Sequence, residues 1–138
     1  MALPLFLDTN VIARHVFGDN PIQSPKATAF FQRIEQGEVE ARITDTVILE
    51  TIYVLQRLYH VPRTDIRDAI NGVLKLPGIR LANKQRVRQA LDLYVNTPTL
   101  SWADSFHAVL TQRLGLPGIV SFDRGFDRVP GLARVEPS

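Results

Sequence analysis

The chain has no cysteine in its 138 residues. Disulfides, thiolate metal sites and cysteine nucleophiles are therefore excluded. Any metal must be held by carboxylates, imidazoles or hydroxyls, a set that suits Mg²⁺ or Mn²⁺ better than structural zinc. No stretch approaches the roughly 18 apolar residues of a membrane span. The opening Met1-Ala2-Leu3-Pro4-Leu5-Phe6-Leu7-Asp8 has no basic leader and its apolar run is short. A cytoplasmic protein without a secretory signal is the expectation. Neither a Gly-x-x-x-x-Gly-Lys loop nor a Gly-x-Gly-x-x-Gly turn is present, which leaves nucleotide-fold functions without support. Strong charge of one sign is missing as well: 16 basic against 14 acidic residues give a formal +2. That balance is compatible with a nucleic-acid partner and does not demand one. Only Lys26, Lys75 and Lys84 among the basic residues are lysines; the rest are arginines. Arginine suits forked phosphate contacts, although genomic base composition produces the same bias.

What is present is a 45% hydrophobic chain of one-domain length, without repeats or linkers. Residues 1–138 therefore read as a single domain. Leu3–Leu7 reads as a fully buried parallel strand ending at Asp8, followed by a short helix over Asn10–Phe17. Ser24-Pro25 predicts an N-cap with proline at the first helical position, and Gly37 stands where that helix should stop. Val39–Ile43 is a second strand, and Thr44 or Thr46 caps a long helix through Val47 and Leu58. Arg63–Lys75 is a further helix, and Gly78–Leu81 a third strand. Asn83 caps a helix to about Tyr94, and Ser101 caps Trp102–Leu114, which Gly115 closes. Gly118–Phe122 is a fourth strand, a turn lies around Phe126, and Ala133–Val135 could add an edge strand. Alternating strands and helices predict an α/β protein, a three-layer α/β/α sandwich with a central parallel sheet of four to five strands.

Ligands of such folds bind at the carboxyl ends of the strands, where the amino-terminal turns of the covering helices also lie. Asp8 follows the first strand and Asp123 the fourth. Asp104 is in the first turn of its helix, and Glu50 is in the early turns of the long helix after the second strand. All four carboxylates are thus predicted at one edge of the sheet. Each has a structural alternative. Asp8 could N-cap the following helix, Ser101-Trp102-Ala103-Asp104 is close to a capping box, and Asp123-Arg124-Gly125 could be a plain turn. Glu50 lies in Val47-Ile48-Leu49-Glu50-Thr51-Ile52-Tyr53-Val54-Leu55, with no other charge. A helix apolar nearly all round should be buried, and a carboxylate there needs a cation or a partner such as arginine. Four clustered carboxylates without a histidine cluster read as a hard-cation site for phosphoryl chemistry.

At these residues the chain resembles the PIN-domain family. Leu7-Asp8-Thr9-Asn10-Val11-Ile12 is similar to its opening motif. Glu50 with Tyr53-Val54-Leu55, Ala103-Asp104-Ser105-Phe106-His107-Ala108 and Ser121-Phe122-Asp123-Arg124-Gly125-Phe126 follow in the family's order, and Val129-Pro130-Gly131-Leu132 is similar to the end of the fold. The nearest subgroup is the VapC-like toxins of prokaryotic toxin–antitoxin pairs. The resemblance implies a Mg²⁺- or Mn²⁺-dependent endoribonuclease that leaves a 5′-phosphate and a 3′-hydroxyl. It makes Asp8, Glu50, Asp104 and Asp123 the catalytic, metal-binding acids. It has Thr9 or Asn10 orient Asp8 and Ser121 stand beside the metal site. It also implies a homodimer and a cognate VapB-like antitoxin.

Nearby residues carry two readings each. Asp127 is an additional ligand or a solvated turn residue, and His107 an RNA contact or a packing histidine. Arg14, Arg113, Arg124 and Arg128 are phosphate contacts or surface charges. Trp102 and Phe106 stack on bases or belong to the core. Among rival functions, haloacid-dehalogenase-like phosphatases resemble Asp-x-Asp after the first strand, whereas position 10 is Asn. A PIN-like module that binds RNA or protein without cutting has no reason to keep four costly acids. A housekeeping PIN nuclease without an antitoxin is the third alternative.

Overall fold

The computed structural model describes residues 3–138. Among the described residues, pairs of helices separate the first four of five short strands, a 3₁₀ turn separates the last two, and every strand pair is parallel, as in an α/β protein. The chain divides into two compact units, one ending at Ala82 and the other running from Asn83 to Ser138.

The first unit contains β1 (Leu5–Phe6), α1 (Thr9–Val16), α2 (Gln23–Glu35), β2 (Ala41–Arg42), α3 (Asp45–Arg57), α4 (Arg63–Leu74) and β3 (Ile79–Arg80). Its sheet has the order β1-β2-β3, with Leu5 opposite Ala41 and Ala41 opposite Ile79. Each crossover uses two helices. Ile12, Ile34, Ile48, Ile52, Leu55, Ile66, Ile70 and Leu74 bury their side chains almost completely and form the core. Spaced three or four apart along α3 and α4, they make the helical stripes the sequence predicts. Gly78 must be glycine for close packing: a Cβ there would stand 2.8 Å from Ile34 Cγ2.

Two local expectations change. The start of α2 is capped by Asn20, whose Oδ1 accepts from the amides of Ile22 and Gln23 at 3.0 and 2.8 Å. Ser24 lies inside the first turn, where its Oγ accepts from the Asn20 amide. Pro25 is still in that turn, where no intrahelical donor is lost. The first strand is also not buried. Leu5 and Phe6 are 61% and 62% exposed, and only Leu7, at 4%, is inside. Among the described residues of the first unit, β1 stands at the end of the order β1-β2-β3 and pairs with β2. Leu5 and Phe6 instead line an open cavity of about 500 Å³ with Asp8, Asn10, Val11 and Phe30.

The second unit contains α5 (Lys84–Asn96), α6 (Trp102–Arg113), β4 (Ile119–Val120), a 3₁₀ turn (Arg124–Arg128) and β5 (Arg134–Val135). Leu100, Ala108, Phe126 and Val129 are its buried centre, joined by Leu93, Ile119 and Leu132. Tyr94 meets Trp102 edge-on at 5.9 Å, which settles Trp102 as a core residue. Strand β5 pairs with β4 through the Ile119 amide, which donates to the Ala133 carbonyl at 2.8 Å. A Cβ on the neighbouring Gly118 would lie 2.6 Å from that same oxygen. Gly118→Ala therefore has to push two backbones apart and is expected to cost about 1–3 kcal/mol. A thermal melt checks this; an unchanged midpoint would show that the strands separate without penalty.

No helix among the described residues is long and apolar enough to cross a membrane.

Candidate active site

Each unit carries two of the four acids singled out by the sequence. In neither unit do three or more His, Cys, Asp or Glu side chains of the described residues gather as a metal-binding group.

In the first unit, Asp8 occupies the N-cap position of α1 with extended backbone, yet its side chain makes no capping bond. The purely structural account of Asp8 therefore loses its main support. The carboxylate is exposed and lines the cavity beside β1. Thr9 is 4% exposed, and its hydroxyl donates to Glu50 Oε2 at 2.7 Å. This bond joins the first turn of α1 to the second turn of α3, across 41 residues of sequence. Thr9 thus orients Glu50, where the resemblance implied Thr9 or Asn10 orienting Asp8. Asn10 is exposed at the cavity wall.

Glu50 itself differs from the sequence expectation. Thr44 caps α3 by accepting from the Val47 amide at 3.3 Å, which settles the choice between Thr44 and Thr46. The helix then buries Val47, Ile48, Thr51, Ile52 and Leu55. Leu49, Glu50 and Tyr53 fall on the opposite, exposed face. The helix has an inner stripe rather than being buried all round. Glu50 therefore lies on the solvent side of the helix, so the burial that the apolar run suggests does not occur.

In the second unit, the Ser101 side chain caps α6 by accepting from the Asp104 amide at 3.1 Å. That is one half of a capping box. The other half is not made: among the described residues the half-buried Asp104 carboxylate has no partner. Asp123 sits in a tight turn. Its amide donates to Ser121 Oγ at 2.9 Å, and its Oδ1 accepts from the Gly125 amide at 2.8 Å. One carboxylate oxygen is thereby fixed, and among the described residues Oδ2 has no partner. Ser121 acts on Asp123 through the backbone.

The remaining candidates separate clearly. Arg14 is committed within the first unit: it donates to Gln23 and to the Tyr59 hydroxyl and pairs with Asp19 at 3.7 Å. Arg113 donates to Gln89 at 3.0 Å. Arg124 and Arg128 are exposed at the ends of the 3₁₀ turn, with no side-chain bond among the described residues. Phe106 tilts against Trp102 and lies under the Arg86 guanidinium. His107 is exposed rather than packed. The packing histidine is His15, which stacks on Phe31 at 4.3 Å and bonds Thr28; burial holds its pKa below the usual value. Asp127 pairs with Arg134 at 2.9 Å, and the hydrogen bonds and charge of that guanidinium hold its carboxyl below the usual carboxylate range. Arg134 went unnoticed in the sequence; its only cue was its place in the last strand.

Asp8 and Glu50 in the first unit, and Asp104 and Asp123 in the second, offer only anionic oxygens, a donor chemistry that suits hard divalent cations rather than thiophilic ones. Among the described residues, Asp8, Asp104 and one oxygen of Asp123 have no side-chain partner.

Comparison with known proteins adds sequence relationships. The family profile of the PIN domain matches residues 5–132. A VapC ribonuclease of Mycobacterium bovis is 31% identical over 102 residues, covering 70% of this chain and 73% of that protein. Ribonuclease VapC13 of Mycobacterium tuberculosis matches with the same identity and coverage. The crystal structure of Mycobacterium tuberculosis VapC20, a Sarcin-Ricin loop cleaving toxin, aligns with a TM-score of 0.43 at 18% identity, over 96% of this chain and 99% of that one.

Proposed function

The chain belongs to the PIN domain family, and we propose that it is a Mg²⁺- or Mn²⁺-dependent endoribonuclease, the toxin of a toxin–antitoxin pair. The observation that carries this reading is that all four acids stand, in order, inside the stretch that matches the family. The names of the two VapC relatives support RNA as substrate. On this reading residues 1–138 act as one nuclease domain, with a homodimer, a VapB-like antitoxin and a cytoplasmic setting as its context.

Asp8, Glu50, Asp104 and Asp123 would hold the metal. A divalent cation in such a set polarises the phosphate, lowers the pKa of a bound water and steadies the leaving oxygen. The protein's own part is orientation. Thr9 holds one oxygen of Glu50, the Gly125 amide holds one oxygen of Asp123, and the exposed Arg124 and Arg128 offer forked donors to RNA phosphates.

The reading is tested with end-labelled single-stranded RNA. Cleavage is expected to disappear in EDTA and to return with added Mg²⁺ or Mn²⁺, with 5′-phosphate and 3′-hydroxyl ends on the products. Cleavage that persists in EDTA would overturn the metal site. RNA binding without any cleavage would favour a non-catalytic module.

A further inference from the structure

We propose that Arg134 is a positioning residue that staples the two ends of the segment 121–127 and so fixes the direction of the Asp123 carboxylate. The inference rests on the nuclease reading above for the role of Asp123. The staple itself is geometric.

Arg134 lies on β5, and its side chain is only 11% exposed. Its Nε donates to Asp127 Oδ1 at 2.9 Å and its Nη2 to Asp127 Oδ2 at 3.3 Å, a two-pronged grip on one carboxylate. Its Nη1 donates to the Ser121 carbonyl and to Glu136 Oε1, both at 3.0 Å. Four of its roughly five N–H donors are therefore used. Ser121 is the residue at which β4 leaves the sheet: its amide donates to the Val135 carbonyl. Asp127 belongs to the 3₁₀ turn that follows. A single guanidinium thus connects the start and the end of the segment that carries Asp123. Within it, the Ser121 hydroxyl and the Gly125 amide set the Asp123 backbone and side chain. Without the staple each end keeps only its backbone bonds, and the Asp123–Gly125 bond carried between them is expected to loosen.

Two other roles fit less well. An RNA contact needs free donors, and these are committed to the protein. A purely structural role would loosen the whole unit when Arg134 is removed, whereas its bonds run only to Ser121, Asp127 and Glu136. What the grip provides is direction. Partners bonded directly to a metal ligand are worth about 10–100-fold in metal affinity; Arg134 acts one step further out, through Ser121 and Asp127, so the lower end of that range is expected. Lysine carries its three donors on one nitrogen and lacks the planar fork by which Arg134 grips both ends at once. Asp127, weighed from the sequence as an additional ligand, is on this account the anchor of the staple.

The test compares wild type, Arg134→Gln, Arg134→Lys and Asp127→Asn in the full chain. RNA cleavage is followed against Mg²⁺ concentration, and hydrogen exchange is followed at the Gly125 and Phe126 amides. For Arg134→Gln the half-saturating Mg²⁺ concentration is expected to rise about 10-fold, with the maximal rate recovered at high Mg²⁺. Exchange at Gly125 should quicken while the core amides of α6 stay protected. Arg134→Lys should not rescue either readout, and Asp127→Asn should move both in the same direction. A Mg²⁺ requirement unchanged in Arg134→Gln would overturn the positioning role. So would an equal quickening of exchange throughout the unit, which marks a merely structural residue. Wild type that shows no metal-dependent cleavage defeats the nuclease reading instead; the Gly125 exchange then still judges the staple by itself.

Discussion

Asp8→Asn is expected to lower Mg²⁺-supported RNA cleavage by at least about 100-fold while the melting temperature stays close to that of the parent protein. The size follows from comparison: loss of an outer partner of a metal ligand already costs about 10–100-fold, so loss of a ligand should exceed that range. The small thermal effect follows from local structure. The Asp8 side chain makes no capping bond, so replacing the charged oxygen by an amide removes no contact that folding depends on. Asp104→Asn should behave alike, since the α6 cap is made by Ser101 and only the Asp104 amide takes part. At Asp123 the Asn side chain retains an oxygen that can accept from the Gly125 amide, so the turn survives while the charge is lost. Glu50→Gln removes charge from the partner of Thr9, and the Thr9 hydroxyl can still donate to the amide oxygen. Cleavage and a thermal melt are measured on the same preparations. Full activity in Asp8→Asn would remove Asp8 from the metal site; a large fall in melting temperature would show that it has a structural task after all.

The opposite signature belongs to Ile52→Ala. Ile52 stands two residues beyond Glu50 on α3, but its side chain is completely buried. Truncating a fully packed isoleucine loses both transfer free energy and packing, at about 2–5 kcal/mol. For a chain of this size that corresponds to a fall of roughly 10 °C in melting temperature. At a temperature where the variant is still folded, its Mg²⁺ requirement should match that of the parent. Glu50→Gln and Ile52→Ala therefore separate the two faces of one helix, one proposed to bear the chemistry and one buried in the core. A melting temperature lowered by less than about 3 °C would mean that the inner face of α3 relaxes around the cavity.

The sequence carried most of the element plan, because that plan is written in short-range chemistry. Apolar residues three and four apart marked α3 and α4. Thr44, Asn83 and Ser101 accept from the amides three residues on, as N-caps do. Gly37 and Gly115 close helices in the left-handed conformation that glycine tolerates. The α2 start was misplaced because Asn20, outside the helix, competes with Ser24 for the same capping task, and sequence does not rank them.

The four acids were also legible, as residue types in family order. Their surroundings were not. The run around Glu50 reads as apolar on every side, yet α3 turns only one stripe inward, because the packing of α4 and α1 decides which face is covered. Sequence offered Thr9 a neighbour in Asp8; the fold gave it Glu50, 41 positions away. The grip of Arg134 on Ser121 and Asp127 depends on parallel pairing of β4 with β5, a contact between strands that no local pattern encodes. Thus the sequence by itself determined the α/β class and the family, and it supplied the four acids on which the proposed metal site rests, since periodicity, caps and motifs act within a few residues. Only the tertiary structure decided which of those side chains are covered, which are held and by whom, since burial and long-range hydrogen bonds exist only once distant segments have packed.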